Sequence, residues 1–272
     1  MSAGPENRKE PSLGALVLAE GGEFAPPGVE QFFFPPIVGA ITKPMVLAVF
    51  ALLICVTFYL VATRNLKVVP SKFQFAAESV YDLCRNKIAR DQIGSADFRP
   101  FVPLILALFS FILVNNIFGI LPMIYFPTLS HIGYALAMSL FVVYPVYHIA
   151  GIRKHGIGKY LKYQLFPAGV PAPVYILLTP IEFFTKFVAN PLTLAIRVFA
   201  AMLAGHLLLL VFTLGGEYLL FEASAALKPV SLISWAFVIV ITFLEALVLV
   251  IQAYVFAVLS ASYIGTALAE EH

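Results

Sequence analysis

Two apolar tracts, at about 173–214 and 230–264, are longer than a bilayer can hold as one upright helix. About 20 residues cross the hydrocarbon core, which is roughly 30 Å thick, whereas 35 helical residues reach about 50 Å. Helices of that length in a membrane must tilt steeply, kink, or lie partly along its plane. Pro180 and Pro191 offer break points in the first tract. Nothing comparable interrupts the second, so strong tilt is expected there. Three shorter runs, at about 45–62, 101–121 and 132–150 (the last interrupted by Pro145), have the ordinary length of a span. Composition agrees: 61% of the residues are hydrophobic and 12% are charged, against about 25% charged in a soluble domain. The expectation is an all-α polytopic membrane protein of about five membrane helices, the last two long and strongly tilted. They form a single membrane domain over 41–272, behind a tail at 1–40.

Lysine and arginine gather in two connections. Arg64, Lys67, Lys72, Arg85, Lys87, Arg90 and Arg99 lie between the first two runs, and Arg153, Lys154, Lys159 and Lys162 between the third and fourth. The positive-inside bias assigns both connections to the cytoplasm. Five crossings then leave the N-terminus outside and the C-terminal "AEEH" inside. Segment 72–91 sets Phe75, Val80, Leu83 and Ile88 near one helix face. It reads as an amphipathic helix on the cytoplasmic membrane surface, with a soluble loop helix as the alternative. In the tail, "LGALVLA" behind Arg8 and Lys9 is short for a signal peptide and lacks a clear cleavage site; a disordered tail is expected. Cys55 sits in an apolar run and Cys84 in a charged segment, so neither a disulfide nor a metal cluster is expected.

The chain shows no GxxxxGK[ST], GxGxxG, HExxH or GxSxG pattern and no Cys/His metal spacing. A net charge of +2 without a basic tract gives no reason to expect nucleic acid. No catalytic constellation and no cofactor site is visible, and the chain is expected not to be an enzyme in its own right. What remains is a set of polar residues deep in apolar sequence: Asn115, Asn116, Glu182, Lys186, Arg197, His206, Glu245 and Gln252. Arginine cannot shed its charge, and at the centre of a membrane helix it costs roughly 2.5–3.5 kcal/mol. Such residues are the mark of an ion pathway.

Their spacing is ordered. If the two long tracts fold back over the polar connection at 215–228, Arg197 falls opposite Gln252 and His206 opposite Glu245, within a turn. Glu245 and Gln252 are seven apart, on one helix face. Arg197, Ala201 and Ala204 follow i, i+4, i+7, with Ala200 and Gly205 beside them. Small residues let another helix come close in a membrane, so the stripe suggests a foreign helix passing a fixed positive charge. Ordinary packing of alanines is the plainer alternative. Glu182 and Lys186, four apart, either neutralise each other or serve the path, and Asn115–Asn116 read more readily as interhelical hydrogen-bonding groups.

"NPLTLAIRVFAAMLAGHLLL" resembles the signature helix of subunit a of F-type ATP synthases, P-L-S-L-x-x-R-L-F-x-N-x-x-A-G-(E/H). "VPLILALFSFILVNNIFGILP" is similar to that family's second span and "EALVLVIQAYVFAVLSASYI" to its last helix, so the resemblance covers roughly 42–272. It implies a proton-conducting stator subunit in a bacterial plasma membrane, with two offset half-channels. Its partners would be the c-subunit ring, b-type peripheral stalk subunits, the remaining ATP synthase subunits and membrane lipid, with ATP made on other subunits. Arg197 matches the family's essential arginine facing the c-ring carboxylates, and Gln252 the glutamine beside it. His206 and Glu245 match the polar pair of the outer half-channel, with the two residue types exchanged relative to some members. Asn116 matches the asparagine of the second span, and a proton leaving to the cytoplasm would pass Glu182. Two positions depart from the pattern: Ala201 stands where the family usually has Asn, and Gly119 where some members carry an acid. Two rival readings are a secondary transporter, with Arg197 binding an anionic substrate, and an intramembrane enzyme. The first lacks an internal repeat and the second its catalytic residues.

Overall fold

A computed structural model describes residues 27–28, 39, 42–121, 128–166, 171–224 and 226–269. Nearly all of the tail at 1–40, including the LGALVLA patch, lies outside the described residues. The described chain is helical throughout, with no strand among the described residues. Its helices are α1 (Lys43–Thr63), α2 (72–93), α3 (Arg99–Ile120), α4 (Ile132–His155), α5 (Ile157–Leu165), α6 (Tyr175–Phe221) and α7 (Lys228–Leu268). Five of them, α1, α3, α4, α6 and α7, are long and apolar enough to cross a membrane, and α6 and α7 run for 47 and 41 residues. Many of their large apolar side chains are exposed, among them Leu60, Phe141, Ile176 and Phe243, as a lipid solvent permits.

The described residues divide into two compact units, one holding 204–245 and the other 34–203 with 246–272. In the larger unit α1 runs antiparallel to α3. Phe50 stacks on Phe118 with ring centres 5.9 Å apart, and Tyr59 Oη lies 2.7 Å from Ser110 Oγ. The core gathers Ile105, Phe109 and Ile112 of α3, Cys84 and Ile88 of α2, Leu194, Val198 and Met202 of α6, and Leu249, Ala253, Phe256, Ala257 and Ala261 of α7. The alanines of α7 allow close approach, as small residues do between membrane helices. Gly265 continues that face: a Cβ there would run into the backbone carbonyl of Gln92.

Three helices contain a widened π turn: Leu83–Ala89 in α2, Met138–Val143 in α4 and Thr185–Ala189 in α6. The last two each end two residues before a proline, Pro145 and Pro191. Proline lacks an N–H and crowds the carbonyl four residues back; widening the preceding turn relieves both without ending the helix. Ser139 Oγ donates to the Pro191 carbonyl at 2.6 Å, tying the two irregular turns together.

In α2 the buried side chains are Gln74, Ala77, Cys84, Ile88 and Ala89, while Phe75 is 63% exposed. Of the face expected from Phe75, Val80, Leu83 and Ile88, Ile88 is buried in the core and Val80 and Leu83 pack against it, while Phe75 alone points away. Ser71 caps the helix, its Oγ accepting from Gln74 N at 3.3 Å, and Gly94, at φ +98°, ends it. Cys55 and Cys84 are both free thiols.

In the smaller unit the C-terminal part of α6 and the N-terminal part of α7 lie antiparallel. Phe212 stacks on Phe237 at 5.6 Å, and Ser234 Oγ donates to the Phe212 carbonyl at 2.7 Å. The Trp235 indole lies directly over Gly216, where a side chain would have no room. Helix α6 thus continues through Gly215, Gly216 and Glu217 to Phe221, and the connection shrinks from the expected 215–228 to 222–227. A glycine costs a helix about 1 kcal/mol, and indole packing offsets it.

Candidate functional site

In the smaller unit His206 Nδ1 lies 2.6 Å from Glu245 Oε1. The two residues are 1% and 4% exposed, with Leu209 and Ile241 also buried in this unit. The carboxylate can lie there because residue 205 is glycine: a Cβ on Gly205 would sit 2.9 Å from Glu245 Oε1 and 3.2 Å from its Cδ. Glu245 Oε2 is buried without a hydrogen-bond partner among the described residues. An imidazole and a carboxyl at this distance share a hydrogen bond. Ala204, in the same unit, is exposed.

In the larger unit Arg197 projects from α6 with its side chain exposed. Its guanidinium makes no hydrogen bond or ion pair among the described residues. Ala200 is exposed and Ala201 half-buried on the same helix. Gln252 is buried, and its Nε2 has no hydrogen-bond partner among the described residues. Arg197 and Gln252, expected at the same level, are therefore not joined by a hydrogen bond. Tyr263 of α7 is close enough for the arginine charge to act on its hydroxyl.

The other candidates lie in the same unit. Asn116 Nδ2 donates to the Leu249 carbonyl at 2.8 Å, while its Oδ1 is buried without a partner among the described residues. Asn115 donates back to the Phe111 carbonyl at 2.8 Å, and Gly119 is buried. Glu182 Oε2 is 3.2 Å from Lys186 Nζ, which also donates to the Gln164 carbonyl at 2.7 Å. Both side chains are about one quarter exposed.

Around Lys186 stands a cluster that sequence reasoning passed over. Tyr147 Oη donates to the Lys186 carbonyl at 2.9 Å, and His148 Nδ1 is 2.7 Å from Tyr160 Oη. The His148 ring stacks on Phe187 of the π turn at 4.9 Å. Burial pushes the Tyr160 phenol up, and the nearby Tyr144 adds to this, so Tyr160 stays protonated. The sequence "YPVYH" at 144–148 was the available clue, but aromatic residues at the end of a span are common.

A continuous helical chain with five helices able to cross a bilayer, and with an arginine, a carboxyl–imidazole pair and buried amides on those helices, defines a polytopic membrane protein with polar groups inside its apolar segments. The chain belongs to the ATP synthase A chain family, whose family model matches residues 45–265. It is similar to ATP synthase subunit a of Nocardioides sp., at 44% identity over 93% of this chain and 96% of that one. The corresponding subunit of Pseudarthrobacter chlorophenolicus is 42% identical over 95% of this chain and 98% of that one. That of Rhodococcus erythropolis is 34% identical over 97% and 98%.

Proposed function

We propose that the chain is the proton-conducting stator subunit of a rotary ATP synthase. It supplies two offset half-channels and an arginine that faces the carboxylates of a c-subunit ring. The observation that carries this reading is Arg197: a permanent charge on an apolar helix, exposed and without an ion pair or hydrogen bond among the described residues. Inside a bilayer that charge needs a counter-charge, and one arriving from outside the chain meets the need. The exposed Ala200 and Ala204 and the half-buried Ala201 leave room for a neighbouring helix to bring it.

A proton entering from outside passes Glu245 and His206 and neutralises a rotor carboxylate, which can then face lipid at low cost. After nearly a full rotation it leaves toward the cytoplasm past Glu182. Arg197 keeps the next carboxylate ionised by lowering its pKa and blocks direct leakage between the half-channels; Gln252 and Asn116 supply polar groups near the path. Each proton moving down 100 mV releases about 2.3 kcal/mol. In this reading α6 and α7 tilt along the ring, α2 lies on the cytoplasmic membrane surface, the N-terminus is outside and the C-terminus inside, and b-type stalk subunits hold the chain against rotation. The basic residues at both expected cytoplasmic connections support that orientation.

The test is Arg197→Ala in the assembled ATP synthase. ATP synthesis and ATP-driven pumping in inverted vesicles should both vanish, while passive proton conductance persists or rises. Arg197→Lys should fail as well, because an ammonium lacks the delocalised fork and gives up its proton when desolvated. A variant lacking Arg197 that still pumps would overturn the assignment.

A further inference from the structure

Two concavities of the larger unit meet at Pro103. One is an apolar groove of about 670 Å3 between α1, α3 and α4, lined by side chains such as Leu52, Val56, Leu60, Ala107 and Val142. The other, of about 360 Å3, is lined by Tyr81 and Arg85 of α2 and by Arg99, Val102 and Pro103 of α3. Pro103 lines both, so the basic concavity opens onto the mouth of the apolar groove. Because α1 and α3 are antiparallel, the mouth falls where α1 ends at Thr63 and α3 begins at Arg99, at one end of the membrane-crossing segments.

The two arginines are exposed, and neither has an ion pair or side-chain hydrogen bond among the described residues. The carboxylates nearest in sequence are engaged elsewhere: Asp82 accepts from Asn86, and Asp97 pairs with Lys154 at 2.6 Å. Two uncompensated guanidiniums lining one concavity with Tyr81 suit a phosphate, since the guanidinium fork matches phosphate oxygens two at a time. The polar groups of the groove below are mostly engaged already: Tyr59 is hydrogen-bonded to Ser110 and Thr63 Oγ1 donates to the Tyr59 carbonyl, and beyond these only the Cys55 thiol breaks its apolar lining. A ligand satisfying both parts is anionic at one end and hydrocarbon at the other, and basic pockets at the membrane boundary recognise such lipids. A membrane helix from another subunit could fill the groove, but nothing in a bare apolar helix answers the paired cations at its mouth.

We propose that the pocket and groove form a site for one anionic phospholipid, with its phosphate held by Arg85 and Arg99 and an acyl chain lying between α1 and α3. The test uses the whole ATP synthase in nanodiscs of mixed phosphatidylcholine and phosphatidylglycerol, with native mass spectrometry counting lipid retained on this chain. One phosphatidylglycerol should survive release, and Arg85→Gln with Arg99→Gln should lower its retention about thirtyfold without phosphatidylcholine taking its place. Ala107→Trp, which fills the groove from an exposed position and leaves both arginines intact, should also expel the lipid. Equal retention in the arginine variant would overturn the proposal, as would retention that survives Ala107→Trp. So would a photocrosslinker at position 107 that captures a helix of another subunit instead of lipid.

Discussion

His206 and Glu245 stand 39 residues apart in sequence, and their side chains meet at 2.6 Å with both buried. A buried polar group without a partner is costly, and each of these side chains supplies the other with one. In the proposed function the pair is a proton relay.

Removing one partner of a buried pair leaves the other uncompensated, which costs about 3–5 kcal/mol if it stays charged. Glu245→Leu is expected to cut proton-driven ATP synthesis severely. His206→Leu should cut it less, because water can replace part of a neutral imidazole's role. The exchange of His206→Glu with Glu245→His should restore more activity than either half alone. Synthesis rates and ATP-driven acidification of inverted vesicles for all four combinations give the coupling, expected in the range of about 0.5–3 kcal/mol. Strict additivity would show that the two do not act as a pair.

Gly205 controls the same contact sterically. A methyl at that position would come 2.9 Å from Glu245 Oε1, and the flexible end of the glutamate can move away at little cost to the fold. Gly205→Ala should therefore leave the amount of assembled complex unchanged while lowering synthesis about tenfold, the effect of losing roughly 1.4 kcal/mol of proton-path stabilisation. Gly205→Val should lower synthesis further and also reduce assembly. Immunoblots of purified complex set against vesicle synthesis rates separate the two effects.

Gly265 meets backbone instead of a movable side chain. A Cβ there would collide with the Gln92 carbonyl, so α7 and α2 would have to part. Gly265→Ala is expected to destabilise the chain by about 1–3 kcal/mol and to lower its melting temperature in detergent. Gly133→Ala, at a helical position with open space around the new methyl, is the control and should change little.

The Cys84 thiol is buried, and burial pushes it up from 9.0 to about 12. The folded state holds this proton to higher pH than the unfolded chain, so the contribution is complete below pH 9 and is lost as pH rises toward 12. In a Cys55→Ser background, N-ethylmaleimide at pH 8 should leave the folded protein unlabelled and modify it after denaturation. Rapid labelling of the folded state would show that α2 does not seal this site.

Sequence alone determined the number of membrane-crossing helices and the places where polar groups interrupt them. Each of these features is local: a span needs length and apolarity, and Arg197 stands out because lipid penalises charge wherever the helix points. The His206–Glu245 contact was legible for a related reason, since two helices joined by one short connection meet at equal distances from it. Tertiary structure decided which side of each helix faces protein. In water an amphipathic period reveals that side, but a bilayer is as apolar as a core: Leu60 is 65% exposed and Ile112 fully buried, and nothing in their neighbourhoods tells them apart. The same ambiguity hid the exposure of Phe75 on α2, the burial of Gln252 beside an exposed Arg197 to which it is not hydrogen-bonded, and the His148–Tyr160 contact beneath the π turn. All three depend on which neighbouring helix covers which surface, and that is fixed by packing across the chain.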